Sequence, residues 1–319
     1  MKVDGSDIRG VSIGTMEAIH MLDTCTDSAV WFITGCSSGL GFALGRLLLE
    51  QKQRVVLTAR DTHVISRLAA ANVDTALALQ LDVTDQPQID DAVELTMQRY
   101  GRIDVLVNNA GYAYLAAIEE GECAEVRRMF DVNVFGLVAV TQSVLPAMRA
   151  RGKGHIINVG SMAGMIGRAG GGYYSATKFA LEGLSQALAR EVEPLGIKVT
   201  VVEPGPFRTE FSGRSLRITR TPIGAYAGTA GARRKQTVHS HGKQPGDPER
   251  FARTIFQLAQ LPAPPSNVVL GTAALSIVQD SLSHLSAELC RWSKYSGNTD
   301  FAAPCSPTTS IVAVAKSAG

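Results

Sequence analysis

A regular alternation beginning at residue 29 and running to about residue 205 constrains this chain more than any other feature. Short runs rich in β-branched residues are Val30–Thr34, Arg54–Ala59, Ala76–Val83, Asp104–Asn108, His155–Gly160 and Lys198–Glu203. Between them lie stretches of helical length and spacing, among them Leu40–Gln51, Gln86–Tyr100, Glu122–Ala150 and Tyr174–Glu193. Strand and helix in strict turn make βαβ units, whose strands run parallel because every connection crosses over the sheet. The runs are almost wholly apolar, as strands covered by helices on both faces must be. The sequence therefore predicts one doubly wound α/β domain over residues 29–295, with a mostly parallel sheet. A single domain of this class commonly reaches roughly 250 residues.

After Pro204 the pattern breaks. Residues 206–245 are rich in Gly, Thr, Arg and Pro and have no clear period, the mark of a lid or binding loop or else of disorder. A helix restarts at Pro245-Gly-Asp-Pro-Glu249, with Asp247 suited to the N-cap and Pro248 to the first helical position. Asn267–Leu270 reads as a last strand and Leu275–Trp292 as a helix. Residues 1–28 are expected to form a flexible leader, residues 296–319 a tail.

The formal charge of +2 and the scarcity of aromatics among basic clusters argue against a nucleic-acid partner. The leader is too acidic for a transit peptide and lacks a secretory core, and no uninterrupted run of about 18 apolar residues suggests a membrane span. Five scattered cysteines make neither a ligand spacing nor a disulfide framework, so the expected setting is the reducing cytoplasm. His239 and His241 have no partner at ligand spacing, and no metal is expected.

The first strand runs directly into Thr34-Gly35-Cys36-Ser37-Ser38-Gly39-Leu40-Gly41. Between a buried strand and a helix, such a turn lets the backbone approach a pyrophosphate and hold its charge at the helix N-terminus. The spacing is GxxxGxG, not the general dinucleotide fingerprint GxGxxG. Cys36 in this loop is expected to fill space. At the end of the second strand, Arg60 is the first side chain able to turn over an adenosine ribose. A charge-assisted hydrogen bond to a 2′-phosphate contributes about 1.5–3 kcal/mol, so NADP(H) is the expected cofactor and NAD(H) the alternative. Asp61 is the competing acid that would favour NAD(H). Asp82, after the third strand, is expected either to bind the adenine amino group or to cap the next turn.

Tyr174-Ser-Ala-Thr-Lys178 opens a helix and puts Tyr174 and Lys178 on one face. For a tyrosine to exchange protons near neutrality, its anion must be stabilised by roughly 3–4 kcal/mol. An ammonium about 5 Å away, at an effective dielectric near 20, supplies about 3 kcal/mol, and an oxidised nicotinamide adds further positive charge. Ser161, ending the preceding strand, is positioned to hold a substrate oxygen at the carboxyl edge of the sheet. Tyr173 has Thr177 at the fourth position onward and so lacks the lysine.

Taken in order, Thr34–Gly41, Asn108-Asn-Ala-Gly111, Ser161, Tyr174–Lys178 and Pro204-Gly205 resemble the short-chain dehydrogenases/reductases over about residues 29–290. The resemblance implies a Rossmann-type domain with a seven-stranded sheet and transfer of hydride between a nicotinamide and a ketone or aldehyde. It implies that Tyr174 moves the proton, that Lys178 also binds the nicotinamide ribose, and that Ser161 orients the carbonyl. It further implies that Asn133 holds a proton-relaying water, that Asn108 and Ala110 line the adenosine side, and that Thr209 meets the carboxamide. Assembly as a homodimer or homotetramer through the helices at 122–150 and 174–193 is implied too. The expected substrate is a medium-sized apolar ketone of steroid, polyketide or terpenoid type. The alternatives are a 3-oxoacyl thioester on a carrier protein, or NADP(H) sensing without catalysis. Arg233-Arg234-Lys235 is expected to be a solvated face and not an anion clamp, with docking of an acidic carrier as the alternative.

Overall fold

The computed structural model describes residues 28–301. The leader, apart from Ser28, and the tail beyond residue 301 lie outside the described residues. Nine strands form: β1 (Val30–Ile33), β2 (Arg54–Ala59), β3 (Ala76–Gln80), β4 (Val105–Asn108), β5 (Ala113–Leu115), β6 (Gly154–Val159), β7 (Ile197–Pro204), β8 (Leu216–Ile218) and β9 (Asn267–Leu270). The helices are α1 (Gly39–Glu50), α2 (His63–Ala70), α3 (Gln86–Tyr100), α4 (Cys123–Phe130), α5 (Leu137–Arg151), α6 (Gly172–Val192), α7 (Ala232–His239), α8 (Pro248–Gln260) and α9 (Thr272–Ser296).

Seven strands pair in the order β3-β2-β1-β4-β6-β7-β9, every pair parallel. Side chains alternate across a strand, so β1 sends Trp31 and Ile33 to one face and Phe32 to the other. The first face packs on α1 and α8, with Leu44, Leu48, Phe251 and Ile255 at its centre. The second packs on α3 and α5 through Ile89, Val140, Val144 and Met148. Successive strands are added outward from β1 in one direction and from β4 in the other, so a crevice opens between the carboxyl ends of β1 and β4, where ligands of such sheets bind.

The local signals act as read. Asp85 and Asp247 cap α3 and α8 by accepting from the backbone N–H of Gln88 and Glu249, at 3.2 and 2.8 Å. The stretch Cys123–Arg151 is long and apolar enough to cross a membrane by length and composition. Its inner face is core: Val140, Val144 and Met148 are fully buried against the sheet.

The segment after β7 is more ordered than its composition suggests. It carries α7 and the strand β8, which pairs with β5 in a second small sheet. Its two ends meet in a neck, where Gly246 N–H donates to Pro206 O (3.1 Å) and Arg208 N–H to Gly246 O (2.8 Å). Gly246 has to be a glycine, since a methyl there would lie 2.6 Å from the Phe207 ring. The run 233–235 is not a solvated face. Arg234 is buried and bonds both oxygens of the buried Glu120 carboxylate, while only Lys235 is fully exposed.

Candidate active site

A cleft of about 990 Å³ lies over the carboxyl ends of the parallel strands. On one side it is bounded by the turn after β1. Gly35 and Gly39 have φ of +73° and +65°, which lets the chain reverse there. Asn109 clamps this turn from β4: its side-chain amide donates to Thr34 O (2.9 Å) and Gly35 O (3.0 Å). Thr34 Oγ1 accepts in return from the backbone N–H of Asn109 and Ala110, at 2.9 and 3.0 Å. A methyl on Gly41 would lie 2.4 Å from the Asn109 amide nitrogen, so this clamp needs that glycine.

Of the expected cofactor residues, Gly35, Ser37, Ser38, Gly39 and Leu40 line the cleft, with Arg60, Asp82, Ala110, Lys178, Pro204, Gly205 and Thr209. Gly41 supports the turn from behind. Asn108 departs from expectation. It is buried beneath the floor, donating to Thr141 Oγ1 (3.0 Å) and Asn158 Oδ1 (2.9 Å), and the neighbouring Asn109 faces the cleft instead. Asp82 caps the turn, its Oδ1 accepting from Thr84 N–H and hydroxyl at 3.0 and 2.8 Å, while the residue also lines the cleft. Asp61 accepts from the His63 N–H (3.0 Å), and Arg60 beside it is exposed at the rim. Cys36 is fully buried, and burial pushes its thiol up to about 12, which suits a filler and not a nucleophile.

At the far end of the cleft stand Ser161, after β6, and Tyr174 and Lys178 on α6. Lys178 Nζ donates to Val159 O at 2.8 Å and lies 5.9 Å from the centre of the Tyr174 ring. Burial lowers the Lys178 pKa to about 8, which leaves it mostly charged at neutral pH. Burial also raises the Tyr174 phenol to about 12, and the hydrogen bond with Ser161 pulls the other way by less. Lys178 alone therefore does not bring Tyr174 into the working range; the balance struck from sequence weighed the ammonium together with the charge of an oxidised nicotinamide and left out desolvation. Tyr173 spends its hydroxyl on Ile118 O (2.6 Å).

Asn133 lies in a π-helical turn, Asp131–Gly136, between α4 and α5. Its Oδ1 accepts from Tyr112 N–H (3.0 Å), and its amide donates to Tyr112 O (2.9 Å) and Thr177 Oγ1 (3.1 Å). It is buried and does not line the cleft. A methyl on Gly111 would lie 3.1 Å from Asn133 Oδ1 and 3.9 Å from Lys178 Nζ, so the two groups border one small gap.

Sequence reasoning missed the clamp residues Thr34 and Asn109, for which the repeated Asn in Asn108-Asn109 was the available signal. It also missed Arg168, Arg214 and Arg217 in the walls, each isolated in the sequence. Arg214 donates to Ser37 O (3.2 Å), tying the 206–245 segment to the glycine turn.

The pattern of the short chain dehydrogenase family matches residues 29–217. Oxidoreductase BOA17 of Botryotinia fuckeliana is 35% identical over 268 residues, 84% of this chain and 97% of its own length. Among solved structures, a short-chain dehydrogenase from Streptomyces avermitilis is 42% identical with a TM-score of 0.81, covering 86% of this chain and 100% of that one. The closed form of a serine dehydrogenase complexed with NADP+ is 29% identical with a TM-score of 0.66, covering 76% of this chain and 94% of that one.

Proposed function

The chain belongs to the short-chain dehydrogenase/reductase family and is an NAD(P)-dependent oxidoreductase, and from that premise we propose that it interconverts a ketone or aldehyde with its alcohol, using NADP(H) by preference and Tyr174 as acid–base group. One observation carries this reading: the Tyr174 hydroxyl is held beside Ser161 and near the charged Lys178 at the end of a cleft whose opposite end is a glycine turn. A nicotinamide held between the glycine turn and Lys178 would supply or accept the hydride, and when oxidised would add positive charge beside that of Lys178.

Ser161 donates to the carbonyl oxygen and fixes it beside the phenol. Tyr174 gives that oxygen its proton in reduction and takes it back in oxidation, with Lys178 stabilising the phenolate. Asn133 acts as a positioning residue that holds the Tyr112 backbone against α6, and the gap it shares with Lys178 suits a proton-relaying water. Arg60 is the partner for a 2′-phosphate, and the N–H groups at the start of α1 for the pyrophosphate. Thr209, over the glycine turn, is the partner for the carboxamide. Residues 206–245 form the substrate loop.

Two further points belong to this reading. Phe135 and Phe179, 61% and 47% exposed near the start of α5 and on α6, support assembly as a homodimer or homotetramer. The free thiols of Cys36, Cys123 and Cys290 support a cytoplasmic location. With Arg234 buried, the 233–235 run gives little purchase to an acidic carrier protein, which leaves free carbonyl compounds as the favoured substrates.

The test is Tyr174→Phe, assayed by NADPH consumption against a panel of ketones. Turnover should vanish while NADPH binding stays within a few-fold; a variant that keeps most of its rate would sink the mechanism.

A further inference from the structure

Beyond the groups assigned to the dinucleotide and Arg214 at the glycine turn, the cleft walls carry Arg128, Arg168, Arg217, Arg233 and Lys243, against Glu125 and, at the adenosine end, Asp61 and Asp82. None of these five cations forms a salt bridge among the described residues. Two of them are brought together by the fold. Arg168 lies between Ser161 and Tyr174 in the chain, and Arg233 lies in α7. Their segments touch, since a methyl on Gly170 would lie 3.1 Å from the Cα of Ala230.

The buried pair of Arg234 with Glu120 fixes the orientation of α7 and leaves Arg233 on the cleft side. Arg233 is half-buried, and both its burial and the nearby Arg168 disfavour its charged form. Arg168 is exposed and Arg233 partly desolvated, so an anion joining them would relieve their repulsion and the desolvation of Arg233. Guanidinium forks match carboxylate and phosphate oxygens two at a time. The same cleft offers Leu115, Met162, Phe211 and Leu216 as apolar wall around Tyr174.

We propose that Arg168 and Arg233 form an anion clamp at the substrate end of the cleft, and that the carbonyl substrate is an amphiphile, an apolar body ending in a carboxylate or phosphate. The clamp sharpens the substrate class and rests on the reductase reading above only for the carbonyl.

Calorimetric titration in the presence of NADPH tests the clamp without turnover, using decanoate, decyl phosphate, methyl decanoate and decylamine. At least one anion binds about 10- to 100-fold tighter than the methyl ester, the worth of a hydrogen bond to a charged group, and decylamine binds weakest. The better of the two anions identifies the headgroup. The margin collapses in Arg168→Gln and Arg233→Gln and persists in Lys235→Gln, whose side chain is exposed on the same helix. Equal binding of anion and ester by the wild-type protein, or a margin untouched in Arg233→Gln, overturns the clamp. Reduction of an oxodecanoate and its methyl ester then separates the two readings. Anion-selective binding with no turnover of either compound keeps the clamp and discards the reductase. Turnover of both with equal kcat/KM keeps the reductase and discards the clamp.

Discussion

The floor of the cleft and the segment that closes over it are held in place by different forces. On the floor, Thr34, Asn109 and Lys178 are fixed by hydrogen bonds to the backbone of adjacent strands, each at 2.8–3.0 Å. The closing segment has its neck and the β5–β8 pairing, and in addition a buried ion pair, Arg234 with Glu120, between residues 114 apart in the chain. Glu120 also accepts from the backbone N–H of Ala117 and Ile223, each at 2.8 Å, so one carboxylate gathers three strands of chain. Many weak bonds give a geometry that survives the loss of any one. A buried charge pair joining distant segments concentrates its support in one place, so more is lost when either partner goes. The groups proposed to do chemistry sit on the first kind of support, and the proposed anion clamp sits on the second.

The largest expected effect breaks the floor chemically and leaves both supports intact: Tyr174→Phe should lower kcat by about 10²–10⁴-fold without moving Tm. Next, Glu120→Ala strands a buried guanidinium and should cost about 3–5 kcal/mol. The loss should appear as proteolytic cleavage within residues 206–245 before the sheet unfolds. Simultaneous loss of sheet and segment would show that the two regions are not separable. Arg60→Ala, at the rim of the floor, should weaken NADPH by about 10- to 100-fold and leave NADH nearly unchanged; equal losses would overturn the cofactor preference.

The smallest effect distinguishes the regions by pH. The Arg234 guanidinium holds Glu120 down to about 2, below its usual 4.5. Its contribution is complete above pH 4.5 and is lost as pH falls through 2, so protease sensitivity of the segment should rise in acid. Under the floor, Glu203 lies beside Glu182, and burial with that neighbouring carboxylate raises it from 4.5 to about 8. The folded protein then holds a proton that the unfolded chain has released. Stability is full below pH 4.5 and declines as pH rises through 8. Glu203→Gln should flatten this alkaline decline, read as Tm at pH 6 and pH 9, and leave the acid sensitivity of the segment unchanged.

The same division decides what the sequence could tell. The bounds of β2, α3 and β9 are as read, because their signals are local: an apolar run, the Asp85 cap, and Gly101 ending α3 at φ +72°. Ser161, Tyr174 and Lys178 were legible for the same reason, being a strand end and a one-turn helical spacing. Which of Asn108 and Asn109 faces the cleft was not, since that depends on where the alternation of β4 gives way to the turn. The Arg234–Glu120 pair was not legible either, because each partner stands alone in its own segment and only the folded chain joins them. Nor was the burial of Tyr174 legible, because spacing reports a neighbouring charge and is silent on depth.

The neck formed by Phe207 and Gly246 has a consequence for how such a chain can change. It closes the intervening segment as a loop whose ends are already joined, so its contents are thermodynamically remote from the sheet. Loop-closure entropy grows only with the logarithm of length, and doubling such an insertion costs about 0.6 kcal/mol. Insertions between residues 208 and 245 that spare β8 and Arg234 are therefore cheap, whereas insertions within β1, β4, β6 or β7 would break a strand pairing. A new substrate range can be grafted at the neck while the hydride-transfer machinery stays where it is.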